Sequence, residues 1–228
     1  MGLVCLWSRR MQNLFTDNDI IDPNRVISCL SEKLNRTEYL STEDLIKTVR
    51  TILPRKSGIK ITFQRARSAK DCFMVNGYFD SEVPKDIELQ ICCSSYKKQF
   101  PLTPGLKKFI IEDIADTLCH ESIHRKQFKL RGKESSTTDT GIAERDYYLD
   151  PDEMFAFSVN IAHNLHRKFG KTAVKKLSNI KRVIKVDSYL ADYYFWFYND
   201  QPFRRMLKLI FQNLQAIEKG RVCHRSLI

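Results

Sequence analysis

The feature that most constrains this chain is a continuous helical run from about residue 104 to 131 that carries His120-Glu121-Ser122-Ile123-His124. Thr103-Pro104 supplies a capping residue followed by proline at the first helical position, and Gly132 supplies a stop behind the basic residues Arg125, Lys126, Lys129 and Arg131. Residues four apart on a helix lie one above the other, so both imidazoles can reach a single ion. Glu121 points about 100° around the axis from His120 and is placed to meet a metal-bound water rather than the metal, which is the position of a general base. Ile111, Ala115, Leu118 and Ser122 form one stripe, while Asp113, Asp116, His120 and His124 fall on or near another. The plainer alternative is a solvated helix face that carries two histidines.

A catalytic zinc takes three protein ligands and keeps one position open. Leu130 stands where the commonest extension of the motif places a third histidine, so a carboxylate from a following helix is the remaining choice. Glu153 fits, near the start of a helix opened by Asp150-Pro151-Asp152, and Asp152, Glu144 and His163 are the alternatives. Glu153 also occupies the position at which a glutamate completes a capping box with Asp150. Asp116, one turn before His120, is a candidate acceptor for orienting a metal-bound imidazole. Tyr147 and Tyr148 are candidates for a phenol at a developing oxyanion, or else packed tyrosines.

The motif helix follows a small sheet. Residues 23–36 and 41–53 read as helices, with Ser41 and Asp44 resembling a capping box. Residues 58–65, 72–79 and 86–93 read as strands, in which Ile59, Ile61 and Phe63, then Ile87, Leu89 and Ile91, alternate with polar positions. Asn76-Gly77 is a candidate turn within the second strand. The polar stretch 133–141 reads as a surface loop. Helices follow at about 150–169, 171–182, 187–198 and 201–218. The third of these is rich in aromatics, Tyr189 and the run Tyr193 to Tyr198, for which core packing is expected. The fold class is thus α+β: a small sheet leading into the motif helix, with helical extensions at both ends. The expected division is an N-terminal segment 1–22, a domain 23–170, and a helical extension 171–228 packed on that domain.

Composition narrows the setting. The 228 residues carry a net charge of +11, with an isoelectric point near 9.3. Cations cluster at Arg50, Arg55, Lys56, Lys60, Arg65, Arg67 and Lys70, and again from Lys168 to Lys185. Lys175, Lys176, Lys181 and Arg182 in the second cluster are the candidate contacts for nucleic acid, against the simpler reading of solvated helix faces. No stretch approaches the roughly 18 uninterrupted apolar residues of a membrane span. The apolar N-terminus precedes Ser8-Arg9-Arg10 instead of following basic residues, which makes a poor secretory signal. Leu6 stands where an N-myristoylation site at Gly2 wants serine or threonine. Seven cysteines with no C-x-x-C pair indicate reduced thiols in an intracellular setting. Cys119 reads as a small buried thiol, not a ligand.

The order of sheet, H-E-x-x-H helix, loop and a second helix with Glu153-Met154-Phe155-Ala156 resembles the zincin metallopeptidases, in the branch whose third ligand is a glutamate. With Tyr148-Leu149-Asp150-Pro151-Asp152 before that glutamate, the chain looks most like small metallopeptidase-like proteins of tailed phages. It is similar at a distance to the peptidases that cleave phage and stress repressors, although Ile123 stands where those usually carry glycine. The resemblance covers about residues 58–170. It implies zinc bound by His120, His124 and Glu153, with Glu121 activating the water. The expected activity is zinc-dependent hydrolysis of a protein or peptide lying extended along the 86–93 strand, and a phage origin makes virion association plausible. The rival expectation is a non-catalytic basic protein on the same scaffold, in a virion or on nucleic acid.

Overall fold

A computed structural model describes residues 20–53, 57–66, 73–79, 87–131 and 144–220. The Gly2 to Leu6 segment, the 133–141 loop, and Arg55, Lys56, Arg67 and Lys70 lie outside the described residues. The fold is α+β and mostly helical, and the chain divides into two units at Lys129/Leu130.

In the first unit, α1 (Pro23–Leu34) opens on Asp22, whose carboxylate accepts the Asn24 N–H at 2.9 Å. After β1 (Tyr39–Leu40), α2 (Thr42–Ile52) opens on Ser41, whose Oγ accepts the Asp44 N–H at 3.0 Å and donates to the Asp44 carboxylate at 2.6 Å. The local pairing expected of Ser41 and Asp44 is therefore made.

The sheet contains β2 (Ile59–Arg65), β3 (Met74–Phe79) and β4 (Ile87–Cys93) in the order β2-β4-β3. β4 runs parallel to β2 and antiparallel to β3, with Ile61 opposite Leu89, Phe63 and Val75 opposite Ile91, and Gly77 opposite Leu89. Two expectations are corrected here. The 86–93 strand is the central one, paired on both sides, so it has no edge to offer a substrate chain. Asn76-Gly77 is not a turn, because β3 runs straight through it in register with β4. A short β5 (Phe100–Pro101) pairs with β1, which the sequence reading missed because two-residue strands carry no periodicity.

One long helix, α3 (Pro104–Arg131), follows directly. Thr103 Oγ1 accepts the Leu106 N–H at 3.3 Å at its start. Ile110, Ile114, Ala115 and Leu118 pack with Leu30, Leu45, Val49, Leu89 and Ile91 into one core. Each fully buried aliphatic side chain contributes about 1.5–3 kcal/mol, so this core holds the motif helix to the sheet.

The second unit is helical. It contains α4 (Glu144–Tyr147), α5 (Pro151–Phe169), a 3-10 turn (Gly170–Thr172), α6 (Ala173–Lys176), α7 (Ile180–Val183), α8 (Ser188–Phe197) and α9 (Gln201–Glu218). Gly170 ends α5 with a φ of 54°, a left-handed value that suits glycine. Phe157, Ile161, Leu190, Tyr193, Met206 and Ile210 lie in its core, and Asn213 Nδ2 donates to Ser158 Oγ at 2.8 Å between α9 and α5.

The continuous helix expected over 171–182 is instead the 3-10 turn followed by α6 and α7. Ser178 donates to the Lys175 carbonyl and Asn179 N–H to the Lys176 carbonyl, so short polar side chains and local turns end α6 and start α7 afresh. The aromatics of α8 divide. Tyr193 and Phe197 are buried, but Phe195, Trp196 and Tyr198 are exposed, contrary to the core role expected for the whole run.

Candidate metal centre

The second half of α3 is not a solvated face. His120 and Glu121 are each 8 % exposed, Ser122 and Ile123 are fully buried, and Arg125, Lys126 and Gln127 are buried as well. Ser122 Oγ accepts the Ile21 N–H at 2.9 Å and donates to the Cys119 carbonyl at 2.7 Å. Arg125 donates to the Ser57 carbonyl at 2.7 Å. Burial of so many polar side chains is costly unless each finds a partner, so this stretch is neither a solvated face nor an ordinary apolar packing face.

His120 and His124 meet as their spacing requires. Their Nε2 atoms are 2.9 Å apart, and the rings stand at 71° with centroids 4.7 Å apart. His124 Nδ1 lies 2.9 Å from Gln127 Oε1. An amide oxygen only accepts, so His124 carries its hydrogen on Nδ1 and turns the Nε2 lone pair toward His120. That is the tautomer of an imidazole ready to ligate through Nε2. Gln127 was not singled out from the sequence, although its position three residues after His124 on the same helix is the signal that could have found it.

The donor set fits a cation. Among the described residues, His120, His124 and Glu153 form a group that could hold a metal ion, with one ligand atom of each within 4.8 Å of the others. Two nitrogens each about 2.0–2.1 Å from a tetrahedral ion sit roughly 3.3 Å apart, so a few tenths of an ångström separate the present histidine pair from a ligating one.

Glu121 is fixed from the sheet side. A Cβ placed on Gly77 would lie 2.5 Å from Glu121 Cγ, 2.6 Å from its Oε1 and 2.6 Å from Thr117 Cγ2. Glycine is therefore required where β3 passes Glu121, and that close approach is the physical reason for the Gly77 first read as a turn residue. About two turns earlier on α3, the Asp113 carboxyl accepts the Val75 N–H of β3, and burial lifts its pKa from 3.8 to about 6.

On α5, Asp150 caps the helix by accepting the N–H groups of Asp152 at 2.7 Å and Glu153 at 3.3 Å. The reciprocal half of a capping box is not needed, because Asp150 donates its own N–H to the Tyr147 carbonyl at 3.2 Å. Glu153 is buried in the first turn of this helix. Asp152, also buried, and His163 are outside the metal group. Burial, together with Arg167 and His166, lowers the His163 pKa to about 3 and keeps it neutral. Glu144 begins α4.

Tyr148 is a packing residue. It is buried, its hydroxyl donates to Asp192 at 3.2 Å, and its carbonyl accepts the Tyr193 hydroxyl at 2.8 Å, the contacts of the packed tyrosine that was the alternative reading. Tyr147 is partly exposed, with its ring against Tyr148 and Phe157. Asp116 is half-buried one turn before His120.

Among the described members of the first basic cluster, Arg50 donates to the Ile61 carbonyl and Lys60 pairs with Glu88 at 3.6 Å. In the second, Lys175, Lys181 and Arg182 are exposed and Lys176 is half-buried. No helix among the described residues is long and apolar enough to cross a membrane. Compared with known proteins, the chain matches no family, no curated protein and no solved structure.

Proposed function

We propose that this chain is a zinc-dependent peptidase, with His120, His124 and Glu153 as ligands and Glu121 as general base. The observation that carries the reading is the histidine pair, His120 buried and His124 half-buried, Nε2 to Nε2 at 2.9 Å, with Gln127 Oε1 accepting from His124 Nδ1. Two imidazoles and a carboxylate are the donor set of a hydrolytic zinc that keeps a position for water, which favours zinc over cations that prefer all-oxygen or thiolate shells. When bound, zinc polarises a carbonyl and lowers the pKa of a water.

The chain's own groups do the rest. A Glu121 carboxylate oxygen takes the proton of the attacking water and returns it to the leaving amine. Gly77 lets that carboxylate sit close against β3, where a longer side chain would displace it. Asp116, one turn before His120 on α3, is the acceptor we assign to orienting its ring. Because β4 is interior, the extended substrate belongs along the outer edge of β3, the strand whose Gly77 lies against Glu121.

Metal analysis of protein purified without chelators tests the first half of the proposal, with about one zinc per chain expected and its loss expected in His120→Ala and His124→Ala. Glu153→Gln is expected to weaken metal binding. Glu121→Gln is expected to keep zinc and lose cleavage of a denatured protein substrate by at least about a hundredfold. Stoichiometric zinc with no cleavage by the wild type would leave the scaffold reading, a basic non-catalytic protein. A metal-free protein in zinc-replete buffer would overturn both assignments of the site.

A further inference from the structure

Between residues 167 and 186 the sequence places eight lysines and arginines and no aspartate or glutamate. The structure sets this stretch on the end of α5, the 3-10 turn, α6 and α7. Lys168, Lys171, Lys175, Lys181, Arg182 and Lys185 are exposed, and none of these cations forms a salt bridge among the described residues. Arg167, the first of the eight, is tied to the Asn164 amide.

The carboxylates closest in sequence turn inward instead of neutralising the patch. Asp187 is buried, accepting the Leu190 N–H at 2.9 Å and Asn164 Nδ2 at 2.7 Å, while Asp192 accepts from Tyr148. A run of unscreened like charges raises the local potential and draws polyanions.

We infer that the exposed face of the 3-10 turn, α6 and α7 is a docking surface for the phosphate backbone of nucleic acid. The apolar residues of the same stretch decide between that and an anionic bilayer. Ala173 and Val183 are buried, and Val174, Leu177, Ile180 and Ile184 pack against the core of this unit, so its outward face keeps cations and gives up its apolar side. A helix that settles into a lipid surface needs an apolar face free to enter it. Phosphate contact needs only charge and the ability to release condensed counterions.

The experiment uses the full chain, as wild type, as Lys175→Ala/Lys176→Ala/Lys181→Ala/Arg182→Ala, and as Lys47→Ala/Lys60→Ala, which removes two cations already paired with carboxylates. Circular dichroism confirms that each is folded. Affinity for a random DNA duplex is then measured from about 50 to 200 mM salt, beside vesicles containing phosphatidylserine. The wild type should bind the duplex with a steep salt dependence, and the quadruple variant should lose about three to four units of the log–log slope and at least tenfold in affinity. The double variant should match the wild type. No duplex binding at low salt, a quadruple variant that binds like the wild type, or a clear preference for vesicles would each overturn the inference. Glu121→Gln should bind as the wild type does, so this result stands or falls apart from the peptidase reading.

Discussion

Gln127 holds a hydrogen of its neighbour in place. By accepting from His124 Nδ1 it spares the imidazole a choice of tautomers, which would favour binding of the proposed cation. Gln127→Ala should leave the fold intact and weaken zinc binding by about 10- to 100-fold, read by competition with a chromophoric chelator. Gln127→Glu, which keeps the acceptor, should recover most of the loss; equal loss in both variants would mean that the side chain acts by packing alone. The motif residues were legible because spacing on a helix is a property of the chain itself. Gln127 was not, because a glutamine three residues on has no meaning until the ring of His124 is seen to turn toward it. Tyr148 was open to two readings for the converse reason: whether a tyrosine near a candidate site packs or stays available shows only when its hydroxyl is seen to donate to Asp192.

At the scale of elements, α3 and β3 approach closely at Gly77. Gly77→Ala would drive a methyl group into Glu121 and Thr117, a forced overpacking that should cost about 1–3 kcal/mol in urea unfolding. The cost should shrink by more than about 0.5 kcal/mol in a Glu121→Ala background, whereas strict additivity would place the strain elsewhere.

Asp113 bonds the same strand two residues earlier. Burial raises its carboxyl to about 6, only partly offset by the Val75 N–H, so the folded chain holds the proton more tightly than the unfolded one. Its contribution is therefore fully present below about pH 4 and is lost as pH rises through about 6. Asp113→Asn keeps an acceptor and never ionises, so it should gain about 1–3 kcal/mol over the wild type at pH 7.5 and nothing at pH 4. A gain independent of pH would assign the effect to packing.

Helix spans capped by Pro, Asp or Ser were legible almost to the residue, as α3 and α5 demonstrate. The pairing order that puts β4 in the centre was not, since a strand's own sequence does not specify its neighbours.

Over the whole molecule, a basic composition turns out to be unevenly spent. The first cluster is partly consumed by Arg50 and Lys60, which are bonded inside their own unit, while most cations of the stretch after Arg167 are exposed and form no salt bridge among the described residues. Net charge alone could not have made that distinction, because it depends on which carboxylates turn inward. The same holds for the aromatics of α8, where a run of similar side chains divides between a core and a surface.

Enclosure also governs the chemistry of sulfur. Cys119 adjoins His120 and has no exposed surface, and Cys92 and Cys93 are sealed into β4 with the thiol of Cys92 made harder to ionise by burial. An exposed thiol at this position would be open to air, yet with no exposed surface this sulfur meets oxidants and alkylating reagents only when α3 itself opens. The rate at which Cys119 ages is thereby tied to the breathing of the helix that carries the site.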